Sequence, residues 1–228
     1  RTNFFSKVTD IRGKETTTLT NTDPLPSAGL VWTPRSDMNV RAQWSMTVSR
    51  PEFRELSPVL YPEPLGLKQT VGNPDLVQTE ISNYDLRWEW FFAPLELVSV
   101  SFFYKDFDKP IENVILTQSG RLTTSFANSE SAYLYGFEFE GRKNFGFIDE
   151  VLENLQILLN VAWIESESDR GEQDILGEVT TRTKGPLVGQ APFVVNATLE
   201  YADDTFGTTR LLYNTIGDTV DDLGANRL

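Results

Sequence analysis

The sequence contains no cysteine and no histidine. Without them there can be no disulfide framework, no Cys or His zinc site, no cysteine nucleophile and no serine–histidine relay. Absence of cysteine also fits an oxidising compartment. Basic residues are few, 20 Lys and Arg against 33 Asp and Glu, for a net charge of -13. So acidic a chain is a poor match for nucleic acid, whose phosphates demand a basic surface, and no nucleic-acid partner is expected. Long apolar runs are missing too: nothing approaches the roughly 18 residues of a membrane helix. That excludes a helical membrane protein but not a membrane barrel, whose strands spend every second residue on their polar side. There is no Gly-rich phosphate cradle, no low-complexity tract and no internal repeat beyond a hairpin rhythm.

What the chain does have is alternation. Tyr84, Leu86, Trp88 and Trp90 alternate with Asp85, Arg87 and Glu89, and in a strand such a run has one aromatic face and one charged face. Val40, Ala42, Trp44, Met46 and Val48 alternate with Arg41, Gln43, Ser45 and Thr47, over about the length that spans a bilayer as a tilted strand. The same pattern returns around Val98–Tyr104, Tyr133–Phe139, Leu155–Trp163, Phe193–Tyr201 and Leu211–Tyr213, and a shorter apolar run covers Ala28–Trp32. About eight strands are predicted. The connections alternate as well: short near residues 36, 94, 148 and 204, long from 49 to 79, through 130, to 190 and again beyond 216. Outer-membrane barrels carry this asymmetry of tight turns at one end and long loops at the other. Trp32, Trp88, Trp90, Phe91, Phe92, Phe145, Phe147 and Tyr201 gather near the short turns, where an interfacial aromatic girdle would sit.

Smaller features follow. Residues 1–25 are Thr-rich and read as a polar loop with one partial strand, apart from 26–228. Val114–Leu116 reads as a continuation of the strand before it, and Gly120 as a bend. Ile148, Val151, Leu152 and Leu155 have helical spacing and predict a single helical turn. Pro51, Pro58, Pro62, Pro64 and Pro74 stiffen the first long loop. The chain opens at Arg1 with neither Met nor signal peptide and stops without a strand-like ending, so it reads as an internal fragment.

Several longer words resemble a known family. RPEFRELSP (50–58), GNPDL (72–76), NYDLRWEWF (83–91), SVSFFYKDFDKPIE (99–112) and YLYGFEFEGRKNFGF (133–147) are similar, in order and spacing, to the C-terminal barrel of TonB-dependent outer-membrane receptors. The resemblance covers residues 26–228. It implies an all-β fold: part of an antiparallel transmembrane β-barrel of about 22 strands. It further implies an N-terminal plug domain of the same protein, a TonB complex that delivers energy through the N-terminal region, and lipid of a Gram-negative outer membrane around the barrel. The cargo would be a scarce small-molecule ligand: siderophore-iron, cobalamin or a carbohydrate. Open sheet edges cannot stay exposed in lipid, so so few strands imply further sequence on both sides.

In such a barrel Arg41, Asp85, Arg87, Glu89, Lys105, Glu138, Glu140 and Arg142 face the lumen, to meet the plug or a solute or simply to form a solvated cross-strand ladder. Trp44, Trp88, Trp90, Phe102, Phe137, Phe139, Trp163, Phe193 and Tyr201 face lipid. Arg50, Glu52, Arg54 and Glu55 form a candidate extracellular ligand loop, since Arg engages carboxylates bidentately; the alternative is that their charges only pair with one another. Glu165, Glu167, Asp169, Glu172 and Asp174 are acidic enough for calcium, but Arg170 stands where an EF-hand needs Gly and Leu176 where it needs Glu. A solvated acidic loop is the simpler reading. Glu138 and Glu140 share a face as a glycosidase pair would, yet nothing else supports catalysis. No enzyme activity, cofactor or metal is assigned. Alternation alone also fits a soluble β-sandwich adhesin or carbohydrate-binding module, and a barrel without a plug would be a passive porin.

Overall fold

The computed structural model describes residues 4–9, 15–20, 22–62, 68–118, 121–171, 174–175, 178–179, 183–203, 207–220 and 223–224. Pro64, Gly120, Glu172 and Leu176 of the sequence reading lie outside them. The Thr-rich start, expected to hold one strand, holds two, β1 (Phe4–Thr9) and β2 (Glu15–Thr20), paired antiparallel. Runs of β-branched Thr favour that extended backbone.

The eight predicted strands are all present and form one antiparallel wall. They are β3 (Ser27–Arg35), β4 (Met38–Ser49), β7 (Thr79–Ala93), β8 (Glu96–Asp108), β11 (Ser131–Asn144), β12 (Leu155–Asp169), β16 (Phe193–Asp203) and β17 (Gly207–Ile216). The strands between them in sequence belong to the long connections. Each wall strand pairs with its neighbour in the chain, in the order β3-β4-β7-β8-β11-β12-β16-β17. Short turns close one end, at Ser36–Asp37 and Pro94–Leu95. Pro94 fixes the first corner of its turn, and Leu95 takes the left-handed position at φ 64°.

The connection at 145–154 differs from expectation. Instead of a helical turn it forms two 3-10 turns, Phe145–Phe147 and Glu150–Leu152. Asn144 accepts the N–H of Gly146 at 2.5 Å and Asp149 that of Val151 at 3.0 Å. Such local side-chain bonds take up the amide groups that an α-helix would use.

At the other end the long connections are folded, not bare loops. The first holds α1 (Phe53–Leu56), β5 (Leu60–Pro62) and β6 (Lys68–Val71). The second is a hairpin, β9 (Ile111–Gln118) and β10 (Arg121–Asn128). Val114–Leu116 is therefore strand, but not an extension of β8. Lys109 at φ 53° and Pro110, which has no N–H, turn the chain out of the wall, and β9 joins a second sheet of order β18-β9-β10-β6-β5, with β18 at Leu223–Gly224. The third carries β13 (Asp174–Ile175), β14 (Glu178–Val179) and β15 (Lys184–Gly185), the last paired with β12.

Burial follows this plan. Among the described residues the buried apolar side chains are Leu76, Val114, Ala127, Ala132, Ala162 and Ala191, and all but Ala162 lie in or beside the long connections. The wall's aromatic face is uncovered: Leu86 is 49% exposed and Phe137 48%. A soluble sandwich would bury this face under a second sheet, and no described element lies there.

Candidate functional site

Register decides which side chains meet. On one face Val40, Trp88, Val100, Phe139, Val161 and Val195 form a rung across six strands, and Ala42, Leu86, Phe102, Phe137, Trp163 and Phe193 form the next. All nine predicted apolar-face residues fall here; Trp44 and Trp88 are half-buried and the other seven exposed. Near the short turns Trp90 donates its indole N–H to Asp37 at 2.9 Å and packs 5.3 Å from Phe92. A second belt, unremarked in the sequence reading, lies toward the long connections. Tyr84, Tyr104 and Tyr135 share a rung, and Tyr133 stacks on both Tyr104 and Tyr135 at 6.5 Å.

The opposite face gathers all eight predicted charged residues, because the pleat sends odd and even positions apart. Half of them form one chain of ion pairs. Arg41 Nε donates to Glu89 Oε2 at 2.8 Å, Arg87 Nε to Glu89 Oε1 at 2.9 Å, and Arg87 Nη2 to Glu140 Oε2 at 2.7 Å. Arg87 crosses the whole of β8 to reach Glu140. It can do so because Ser99 and Ser101 there are small and buried, and Ser101 accepts from Arg87 Nη1 at 3.2 Å. The side chains of Asp85, Lys105 and Glu138 make no ion pair or hydrogen bond among the described residues, yet they line one hollow with Phe103 and Arg41. Arg142 keeps a buried Nε without a hydrogen-bond partner.

The four loop residues do not converge. Arg50 lies 3.6 Å from Asp23, Arg54 sits over the Tyr61 ring at 5.4 Å, and Glu55 accepts the N–H of Glu52 at 2.7 Å. Each is engaged in local structure. The GNPDL word is where this connection docks on the hairpin: Asn73 Nδ2 donates to Phe126 O at 2.9 Å, and Asn128 both accepts the Val77 N–H and donates to its carbonyl at 2.9 Å. Sequence reasoning had no local signal for Asn128, since its partner is 51 positions away.

Among the described residues no group of Asp and Glu could hold a metal ion. The acidic stretch instead engages Lys184, 3.7 Å from Glu167 and 3.2 Å from Asp169. The Gly171 N–H and then the Lys184 ammonium hold the Asp169 carboxyl below the usual carboxylate range. A carboxyl whose folded pKa is lowered stabilises the fold at pH above its unfolded value and loses that contribution as pH falls through the folded one. Hydrogen-exchange protection around Lys184, taken relative to the intrinsic exchange rate at each pH, is therefore expected to be flat through neutral pH and to fall only under acid, an effect weakened by salt because the pair is exposed. Unchanged protection under acid would refute this.

A family model described as TonB dependent receptor-like, beta-barrel matches residues 1–227. No curated protein matches the chain. Among solved structures, the siderophore receptor PirA from Pseudomonas aeruginosa aligns at 18% identity and a TM-score of 0.60, covering 85% of this chain and 33% of that one. A variant of the ferric enterobactin receptor PfeA from the same organism, in complex with enterobactin, aligns at 14% and 0.58, covering 90% and 30%. The FrpB iron transporter from Neisseria meningitidis aligns at 13% and 0.51, covering 90% and 28%. The chain thus spans about a third of the length of the structures it resembles, and at these identities the likeness is one of fold. With the family model running over nearly every residue of a two-faced antiparallel wall, the chain belongs to the TonB-dependent receptor β-barrel family.

Proposed function

We propose that this segment is lumen wall and ligand-side loop layer of an outer-membrane receptor that imports siderophore-bound iron. The observation that carries the reading is the uncovered aromatic face backed by a largely self-neutralised charged one. In this reading the apolar set from Trp44 to Tyr201 meets lipid, and the charged set meets the lumen. Arg41, Arg87, Glu89 and Glu140 stiffen the wall, while Asp85, Lys105 and Glu138 are left for the plug. The folded long connections lie outside the cell, the plug and its TonB contact reside in the rest of the protein, and the organism is Gram-negative. Iron, rather than cobalamin or a carbohydrate, is favoured because the solved structures of like fold are siderophore receptors and an iron transporter.

Deleting the full-length gene in iron-starved cells is expected to abolish uptake of one radio-iron siderophore chelate from a panel. Uptake in the parent strain should collapse when a protonophore removes the energy source. Intact iron uptake with lost cobalamin or oligosaccharide uptake would overturn the cargo. Uptake insensitive to the protonophore would make the protein a passive pore.

A further inference from the structure

The β9–β10 hairpin touches every other long connection. β10 runs parallel to β6 in the connection before β7, and β9 runs parallel to β18 beyond β17. The third contact is a charge. Glu112, near the start of β9, reaches into the connection after β12. Its Oε2 accepts the hydroxyls of Ser129 and, at 2.5 Å, Ser168; its Oε1 accepts the Val188 N–H at 3.2 Å and Arg170 Nη2 at 3.3 Å. Arg170 Nε is 3.3 Å from Oε2 without the alignment of a hydrogen bond. Arg170 Nη2 also donates to Pro186 O at 2.8 Å, and its backbone N–H to Thr183 O at 2.7 Å. The side chains of Glu112 and Arg170 are only 3% and 5% exposed.

A buried ion pair is a poor source of stability, because stripping water from both ions offsets most of their attraction and an apolar pair can pack as well. What it supplies is a single permitted arrangement: moving either partner leaves the other charged, buried and alone. Here the partners sit on different connections. The connection after β12 also reaches the last one directly, through Gly189 N–H to Val220 O at 2.8 Å.

We infer that Glu112 and Arg170 form a latch that makes the four long connections one cooperative body, opening and closing together. The ligand-side surface is then assembled before any ligand arrives. The inference rests on the geometry of the connections and holds whatever the cargo is.

Hydrogen exchange on the full-length receptor in detergent tests it. Glu112→Gln keeps the shape but removes the charge. Exchange is expected to rise together, by about tenfold or more, in 68–71, 111–118, 123–128, 183–192 and 217–220, with no change in 82–90 of the wall. A rise confined to 183–192 would show a local pin, and no rise would show that the pair holds nothing; either overturns the inference. Should Glu112→Gln fail to yield a folded barrel, Ser168→Ala, which removes one donor and keeps both charges, decides. A smaller joint rise supports the latch; a separate rise or none overturns it.

Discussion

Replacing Val100 by arginine is expected to destabilise the receptor by about 2–4 kcal/mol when it is refolded into lipid vesicles and titrated with denaturant. Val100 is 41% exposed in the middle of the apolar rung from Val40 to Val195. A guanidinium there would lose its water with no counter-ion in reach. Tyr133→Arg is the control. Tyr133 lies toward the long connections, with Asp106 and Glu167 as its cross-strand neighbours, so a new cation meets carboxylates at the edge of the apolar band and is expected to cost about 0–1 kcal/mol. Were the face in contact with water, both changes would fall within about 0.5 kcal/mol of zero. Equal costs at the two positions would refute the assignment of this face to lipid.

Gly136→Ala is the second large effect. Gly136 lies on the charged face of β11, and the Phe103 ring of β8 lies against it. A methyl group there would collide with the backbone carbonyl of Trp163 and come 2.5 Å from Phe103 Cζ. The ring can rotate away, but a carbonyl in the β11–β12 ladder cannot move without breaking register. An expected loss of about 1–3 kcal/mol follows. Phe103→Ala combined with it should recover only part, since the carbonyl remains. Complete recovery in the double variant would show that the ring alone was the obstacle and that the backbone yields. The aromatic ring over a strand glycine also explains why an apolar Phe103 stands among charges: it covers backbone that glycine leaves bare.

The wall was legible in the sequence because each strand carries its own evidence. Val40–Val48 and Tyr84–Trp90 alternate within themselves, and period two fixes both the strand and its two faces. Hence the eight charged and nine apolar candidates from Arg41 to Tyr201 separate onto opposite faces of the wall. The long connections were not legible, for a physical reason. Thr123, Thr124 and Ser125 of β10 are buried although polar, so no apolar rhythm marks that strand. The Glu112–Arg170 pair spans 58 positions, and nothing near Glu112 shows that a partner exists. Charge density at Arg50–Glu55 marked a candidate ligand loop, and the sequence alone did not show that Glu55 caps a helical turn and that Arg54 lies over the Tyr61 ring.

The two sheets also differ in when they can form. Every wall strand pairs with the next wall strand in sequence, across a short turn or a single long connection, so the wall can grow pair by pair. The parallel ladders of β10 with β6 and of β18 with β9 span whole wall strands and cannot close before those strands stand side by side. Assembly therefore has a direction, with the wall first and its cap last. Within the cap the β9–β10 hairpin is local and can close early, so what comes last is the joining of one long connection to another.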